Sequence, residues 1–220
     1  MSCCPGCDHH EALQREWQRV AHSPLWRSGG MAVLVGLLDA DMLAAMADEA
    51  WQGARTQCAH PHCADEEQVR GGTPARQLAS IEGGAVQQSL YGHPGLAALI
   101  AARCGSPVRP CGAQASYSVY DTPGAHLGIH RDIPGCDLAL ITCLEDSAPA
   151  SEGGATESWP DDVLTPLGIL RGGAGGRSRR TALLPGHSML MHGGVLPHRI
   201  RPLAAGRLRV VSLMCFEMLA

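Results

Sequence analysis

A mainly β chain, an antiparallel barrel or sandwich of short strands buttressed by N-terminal helices, is the fold class the sequence predicts. Two observations carry that reading. Gly and Pro are plentiful, 27 and 15 among 220 residues, which favours frequent turns over a helical bundle. Helix-like spacing also comes first along the chain, and short apolar segments divided by Gly/Pro turns come after it.

The elements are expected in this order. Residues 1–10 read as a polar, Cys/His-rich tail, and residues 11–220 as one domain. Leu13, Trp17, Val20 and Ala21 recur at helical spacing, which predicts an amphipathic helix within 11–28. Gly29-Gly30 interrupts it. Met31–Leu37 reads as a buried strand, and Asp39 or Asp41 caps a helix through Met42–Gly53. Residues 54–75 are polar and turn-rich, a loop, while 76–90 fit helix or strand equally. Pro94–Cys104 reads as a helix stopped by Gly105-Ser-Pro. Residues 11–112 thus form the buttress and 113–217 the strand core. Its strands are expected at Ala113–Tyr120, Leu127–Asp132, Asp137–Glu145, Thr181–Leu184, Ser188–His192, His198–Arg201 and Arg207–Glu217. Ala150–Arg180, with Gly172-Gly-Ala-Gly-Gly176 inside it, reads as one long loop.

Composition excludes several classes. Apolar residues make up 45% and charged residues 17%, which rules out a disordered chain. A net charge of -4 argues against attraction to phosphates, so neither nucleic acid nor an anionic membrane surface is an expected partner. Apolar runs such as Met31–Leu38 and Leu96–Ala102 are shorter than the roughly 18 residues a bilayer requires. The N-terminus lacks a basic region followed by an apolar one, so no secretory signal is read there. The ten cysteines are therefore expected as reduced thiols in a cytoplasmic protein.

His130-Arg131-Asp132 places an imidazole and a carboxylate two residues apart. On a strand such residues share a face and can reach one ion. His-x-Asp alone is weak, since a surface polar pair beside a turn has the same pattern. A third ligand must come from elsewhere, and His187, His192 and His198 all lie in the C-terminal region. Two His and one carboxylate on one face of an octahedral ion suit non-haem Fe(II) with positions left open. Gly206-Arg207 then opens an apolar segment through Phe216. A buried strand rarely tolerates an unpaired Arg, and an anionic ligand inside the barrel would give it a partner.

Three stretches taken together resemble the prolyl-hydroxylase-like branch of the iron(II)/2-oxoglutarate-dependent oxygenases. They are Tyr120-Asp-Thr-Pro-Gly-Ala-His-Leu-Gly-Ile-His130-Arg-Asp132, Gly153-Gly-Ala-Thr-Glu-Ser-Trp-Pro160, and Pro197-His198-Arg-Ile-Arg-Pro202 with Gly206-Arg207. The likeness covers residues 113–217. It implies a double-stranded β-helix (jelly-roll, cupin-like) core, with His130, Asp132 and His198 holding the iron. It implies that Arg207, nine residues after His198, meets the far carboxylate of 2-oxoglutarate, as its guanidinium fork suits. Tyr120 matches a tyrosine whose hydroxyl touches the same cosubstrate; a core tyrosine is the plainer alternative. Arg209 shares a strand face with Arg207 and is the fallback. The spacing to Gly-Arg selects His198 over His187, His192 and His126. Asp132 stands where halogenases of the family usually carry Ala or Gly, which argues for hydroxylation.

The resemblance further implies molecular oxygen as co-reactant, and succinate and carbon dioxide as products. The compact chain leans towards a small-molecule substrate, a polar metabolite such as an amino acid. A peptide or carrier-bound substrate, a cupin-like metal enzyme without 2-oxoglutarate, and a non-enzymatic binding barrel are the alternatives. Arg171, Arg177, Arg179 and Arg180 could form a positive cluster near the cavity mouth, while Arg131 should point to the opposite strand face as a structural residue. Separately, Cys4, Cys7, Cys58 and Cys63 form two close pairs that could close a tetrahedral zinc site. Cys104, Cys111, Cys136, Cys143 and Cys215 lie in apolar segments and read as small core residues.

Overall fold

Alternation along the last strand shows how the molecule is layered. In the computed structural model, which describes residues 5–56, 74–112, 115–147 and 153–219, with the side chains of 5–9 left aside, this strand is β12, Arg209–Met218. Its Val210, Met214 and Phe216 enter an apolar cluster shared with the helices, whereas Val211, Leu213 and Cys215 enter a second one inside the barrel. The period of two that builds a strand thus places one face on the helices and the other on the site.

The larger sheet runs β1-β10-β7-β12-β5-β3, with β4 also beside β12. These strands are β1 (Met31–Leu34), β3 (Ala79–Glu82), β4 (Val108–Pro110), β5 (Ser116–Tyr120), β7 (Leu138–Asp146) and β10 (Ser188–Met191). The smaller sheet runs β2-β6-β11-β8-β9. It consists of β2 (Arg76–Gln77), β6 (His126–His130), β8 (Thr156–Ser158), β9 (Arg179–Thr181) and β11 (His198–Ile200). All pairings are antiparallel. Met189, Met191, Ala139 and Ile141 of the larger sheet pack against Ile200 and Leu127 of the smaller, so the two enclose a common interior. This is the expected double-stranded β-helix, and β1, β2, β3 and β4, all before residue 113, join its sheets.

Helices α1 (Pro5–Val20), α2 (Pro24–Arg27), α3 (Ala40–Thr56), α4 (Ala85–Tyr91) and α5 (Pro94–Cys104) supply the buttress. Asp39 accepts from the Met42 amide at 2.8 Å and so starts α3. Met46 and Ala50 of α3 are fully buried against the sheet. Glu49 of α3 accepts from the Val86 and Gln87 amides, capping α4, and from the Tyr117 hydroxyl at 2.6 Å. Gly105 ends α5 at φ +81°, where a side chain would be strained.

Four expectations need correction. Helix α1 begins at Pro5, so residues 5–10 are not a simple tail. The expected helix within 11–28 divides after Val20, and Ser23 opens α2 by accepting from the Trp26 amide at 3.0 Å. Within 150–180, the described residues contain β8, helix α6 (Leu167–Arg171) and the start of β9. Strand β8 pairs with β11, so part of the expected loop is sheet next to the site. Finally, Cys136 and Cys215 are joined in a disulfide, while Cys104, Cys111 and Cys143 are free. Cys4, Cys58 and Cys63 lie outside the described residues, as does the Cys7 side chain, and with them the expected zinc site. No helix among the described residues is long and apolar enough to cross a membrane.

Candidate metal centre

His130 ends β6 and His198 begins β11, and the two are direct partners in the antiparallel register. Their rings lie 4.2 Å apart between centroids. The register shifts between His198 and Ile200, because Ile200 pairs with Leu127. That extra residue in β6 is a bulge, and it lets both His130 and Leu127 face the interior. Gly128 sits in the bulge with its amide on the Ala75 carbonyl at 2.7 Å. A Cβ there would lie 2.9 Å from the same oxygen, so the close approach requires glycine.

Asp132 follows on the turn after β6. His130 Nε2 is 3.5 Å and His198 Nε2 is 3.7 Å from Asp132 Oδ1. One ligand atom from each of the three residues falls within 4.8 Å of the others. Each imidazole is oriented from behind: His130 Nδ1 lies 2.9 Å from the Gly128 carbonyl and His198 Nδ1 2.9 Å from the Leu196 carbonyl. A carbonyl only accepts, so Nδ1 carries the proton and Nε2 offers a lone pair. Burial, with His130 adding to it, holds His198 neutral by lowering its pKa to about 4. Two imidazole lone pairs and a carboxylate oxygen therefore converge with no donor among them. A divalent cation is what such a donor set fits, and backbone-oriented histidines are usual for one.

Gly193 fixes Asp132, the third member of the cluster, and the sequence reading missed it. Its carbonyl accepts from the Asp132 amide at 2.9 Å, while a Cβ on it would lie 1.7 Å from Asp132 Oδ2. The Gly193-Gly194 pair was the available signal, but nothing local ties it to a residue some sixty positions earlier.

The interior beyond the triad holds a buried cation. Arg209 is 2% exposed, and its Nη1 lies 3.1 Å from Asp146 Oδ2. Its Nε is buried and has no hydrogen-bond partner among the described residues. Tyr120 stands opposite Arg209 across β5 and β12 and is equally buried. Burial pushes its hydroxyl up to about 12 against the pull of Arg209 and Arg76, so it stays protonated and able to donate. Asp146 reaches this face through a second irregularity: Val210 pairs with Glu145 but Val211 with Cys143. Leu144 is the extra residue, and it turns Glu145 out onto Trp51 and Asp146 in towards Arg209.

Arg207 is not brought to this face. It precedes β12 on a turn and donates to the Ser147 carbonyl at the surface. Arg131 does point away from the His130, Asp132 and His198 cluster. It is buried and donates to the carbonyls of Val195, Val163 and Thr165, tying loops together. His192 is buried elsewhere, its Nε2 2.9 Å from the Ser23 hydroxyl. His126 lies against the Gly124 carbonyl, and His187 sits in the turn before β10. The expected arginine cluster is dispersed, since Arg171 donates to the Ile129 carbonyl and Arg180 pairs with Glu157. Arg199 also pairs with Glu157.

A cavity of about 180 Å³ opens between α1 and the 131–137 turn, with Asp132, Arg131, Ile133, Glu16 and Leu13 in its wall. Among the described residues it is a pocket that touches a candidate ligand.

No protein-family model matches the chain, and no curated protein does. Solved structures do. A Pseudomonas putida prolyl-4-hydroxylase is 19% identical, with 93% of this chain and 98% of that chain covered at a TM-score of 0.59. SnoN, a non-haem α-ketoglutarate-dependent epimerase from nogalamycin biosynthesis, is 17% identical, covering 94% and 81% at 0.63. HygX from Streptomyces hygroscopicus, solved with nickel and 2-oxoglutarate bound, is 11% identical, covering 86% and 83% at 0.62. The chain has the double-stranded β-helix fold that these 2-oxoglutarate-dependent enzymes share.

Proposed function

We propose that this protein is an iron(II)- and 2-oxoglutarate-dependent oxygenase that hydroxylates a small polar metabolite. The observation that carries the reading is a buried arginine, Arg209, in the same barrel interior as the His130, Asp132 and His198 cluster. A metal enzyme of cupin type without the cosubstrate would have no use for that guanidinium. Bound together, iron(II) and 2-oxoglutarate supply an oxidant from molecular oxygen, with succinate and carbon dioxide released.

The chain's own residues have separable tasks. His130 and His198, through Nε2, and Asp132, through a carboxylate oxygen, would hold the ion. Arg209 takes the far carboxylate of 2-oxoglutarate through its unpartnered Nε edge, in place of Arg207, while Asp146 steadies Nη1. Tyr120, protonated, donates to the same carboxylate. Met189, Met191, Ile141 and Leu196 surround this slot with apolar surface and exclude water, which strengthens each polar contact inside it.

The preference for a small substrate rests on the compact chain of 220 residues. Turnover assays over free amino acids and related metabolites, set against peptides, test this. Succinate formation driven only by peptides would reject the small-molecule part of the reading.

A further inference from the structure

We infer that Arg131 is a positioning residue for the metal centre, holding Asp132 and His198 in place through the turn that joins β10 to β11. This rests on the metal site of the oxygenase reading above and gives that site a support from between two of its own members. Arg131 is 6% exposed. Its Nε donates to the Val195 carbonyl at 3.0 Å, and its Nη2 donates to the carbonyls of Val163 at 2.6 Å and Thr165 at 3.0 Å. All three acceptors are main-chain oxygens, and they lie in two separate loops. Burying a guanidinium is costly, and a position that needed only bulk would be filled more stably by an apolar residue. A planar fork of donors can grip two loops at once, which the single ammonium of Lys does less well.

The loops it grips are the ones that hold the cluster. Val195 lies in the turn between β10 and β11, and this turn supports two of the three members. On one side of Val195, the Gly193 carbonyl accepts from the Asp132 amide at 2.9 Å. On the other, the Leu196 carbonyl lies 2.9 Å from His198 Nδ1. The Arg131 bond to Val195 falls between these two contacts, so a shift of the turn would move both. The second loop follows β8, and its Trp159 amide donates at 3.0 Å to the carbonyl of Pro197, the residue before His198. Nη2 fastens that loop further on, at Val163 and Thr165. Strand alternation turns the Arg131 side chain away from its neighbours His130 and Asp132. It therefore acts on the cluster through the backbone of both loops, without touching an ion held there.

Titration with Co(II), followed by its visible d–d absorption, tests the assignment in the wild type, Arg131→Met, Arg131→Lys and Gly193→Ala. Loss of a support behind a metal-binding side chain weakens affinity about 10- to 100-fold, and Arg131→Met should fall in that range with a shifted band. Arg131→Lys should lie between it and the wild type. Met46→Ala, which opens a cavity in α3, is the control for stability alone: its melting temperature should fall while Co(II) affinity and spectrum stay unchanged. Because Arg131 and Gly193 act through one turn, Arg131→Met/Gly193→Ala should bind little more weakly than the weaker single variant. Wild-type affinity and spectrum in Arg131→Met overturn the inference, as do losses that multiply in the double variant. Should Arg131→Met not fold, wild-type affinity and spectrum in Arg131→Lys overturn it equally. In those cases the oxygenase reading stands; if the wild type binds no Co(II), both fall.

Discussion

Arg209 and Tyr120 face each other directly across β12 and β5, both buried inside the barrel that carries the histidine and aspartate cluster. Arg209 is held there by Asp146, which only a bulge at Leu144 turns inward. Asp146 satisfies part of the charge that this apolar interior encloses, and the cosubstrate carboxylate of the proposed function would complete it.

Arg209→Met should abolish measurable 2-oxoglutarate binding, and Arg207→Ala should leave it unchanged. Removing one partner of a buried ion pair costs about 3–5 kcal/mol, so Arg209→Met also lowers the melting temperature. The double variant Arg209→Met/Asp146→Asn should recover much of that stability without recovering binding. Calorimetry and thermal unfolding on the same samples separate the two effects. Normal binding by Arg209→Met, or its loss in Arg207→Ala, would restore Arg207 to the site.

Gly193→Ala should displace Asp132, because the new methyl would stand 1.7 Å from its Oδ2. The expected result is a folded protein with Fe(II) affinity lowered by at least an order of magnitude, as for loss of a supporting contact to a ligand. Metal titration followed by circular dichroism checks both halves. Unaltered Fe(II) affinity would show that Asp132 is not a ligand.

How much of this was legible beforehand depends on whether the signal was local. His130 and Asp132 share a face by strand period alone, and Pro94–Cys104 carries its own start and stop, with His93 capping and Gly105 at positive φ. The family spacing, nine residues after His198, points to Arg207, but β12 begins only at Arg209, so the arginine buried in the barrel comes two residues later. Asp146 and Gly193 act through bulges and approaches between distant segments, which no sequence window contains. Strand β8 is only three residues long within a Gly-rich stretch, too short for its own pattern to stand out from the 150–180 loop. The disulfide joins cysteines 79 positions apart, and spacing gave no pairing.

Acid should destabilise the metal-free protein over a defined window. Burial lowers the pKa of both His192 and His198 to about 4, below the 6.5 of an exposed histidine. Between those values the unfolded chain binds more protons than the native one, so stability falls as pH falls from 6.5 towards 4. The loss is on the order of 3 kcal/mol per histidine. Urea unfolding from pH 7 to pH 4 measures it, and His192→Gln should flatten the curve. A pH-independent midpoint across that range would contradict neutral buried histidines.

Reducing Cys136–Cys215 should lower the melting temperature. The bridge closes a loop of 79 residues in sequence separation, and a cross-link of that span contributes at most about 4.5 kcal/mol. Thermal unfolding with and without a strong reductant, and in Cys136→Ala/Cys215→Ala, gives the comparison. Identical melting curves under both conditions would mean that the two thiols are not joined in solution.

The most direct measurement is an anaerobic absorption titration of the protein with Fe(II) and 2-oxoglutarate. A visible charge-transfer band from the metal-bound 2-oxo acid is expected, saturating at one equivalent and absent in His198→Ala and Asp132→Ala. No band in the wild type, together with no succinate on admitting air, would contradict a 2-oxoglutarate site at His130, Asp132 and His198.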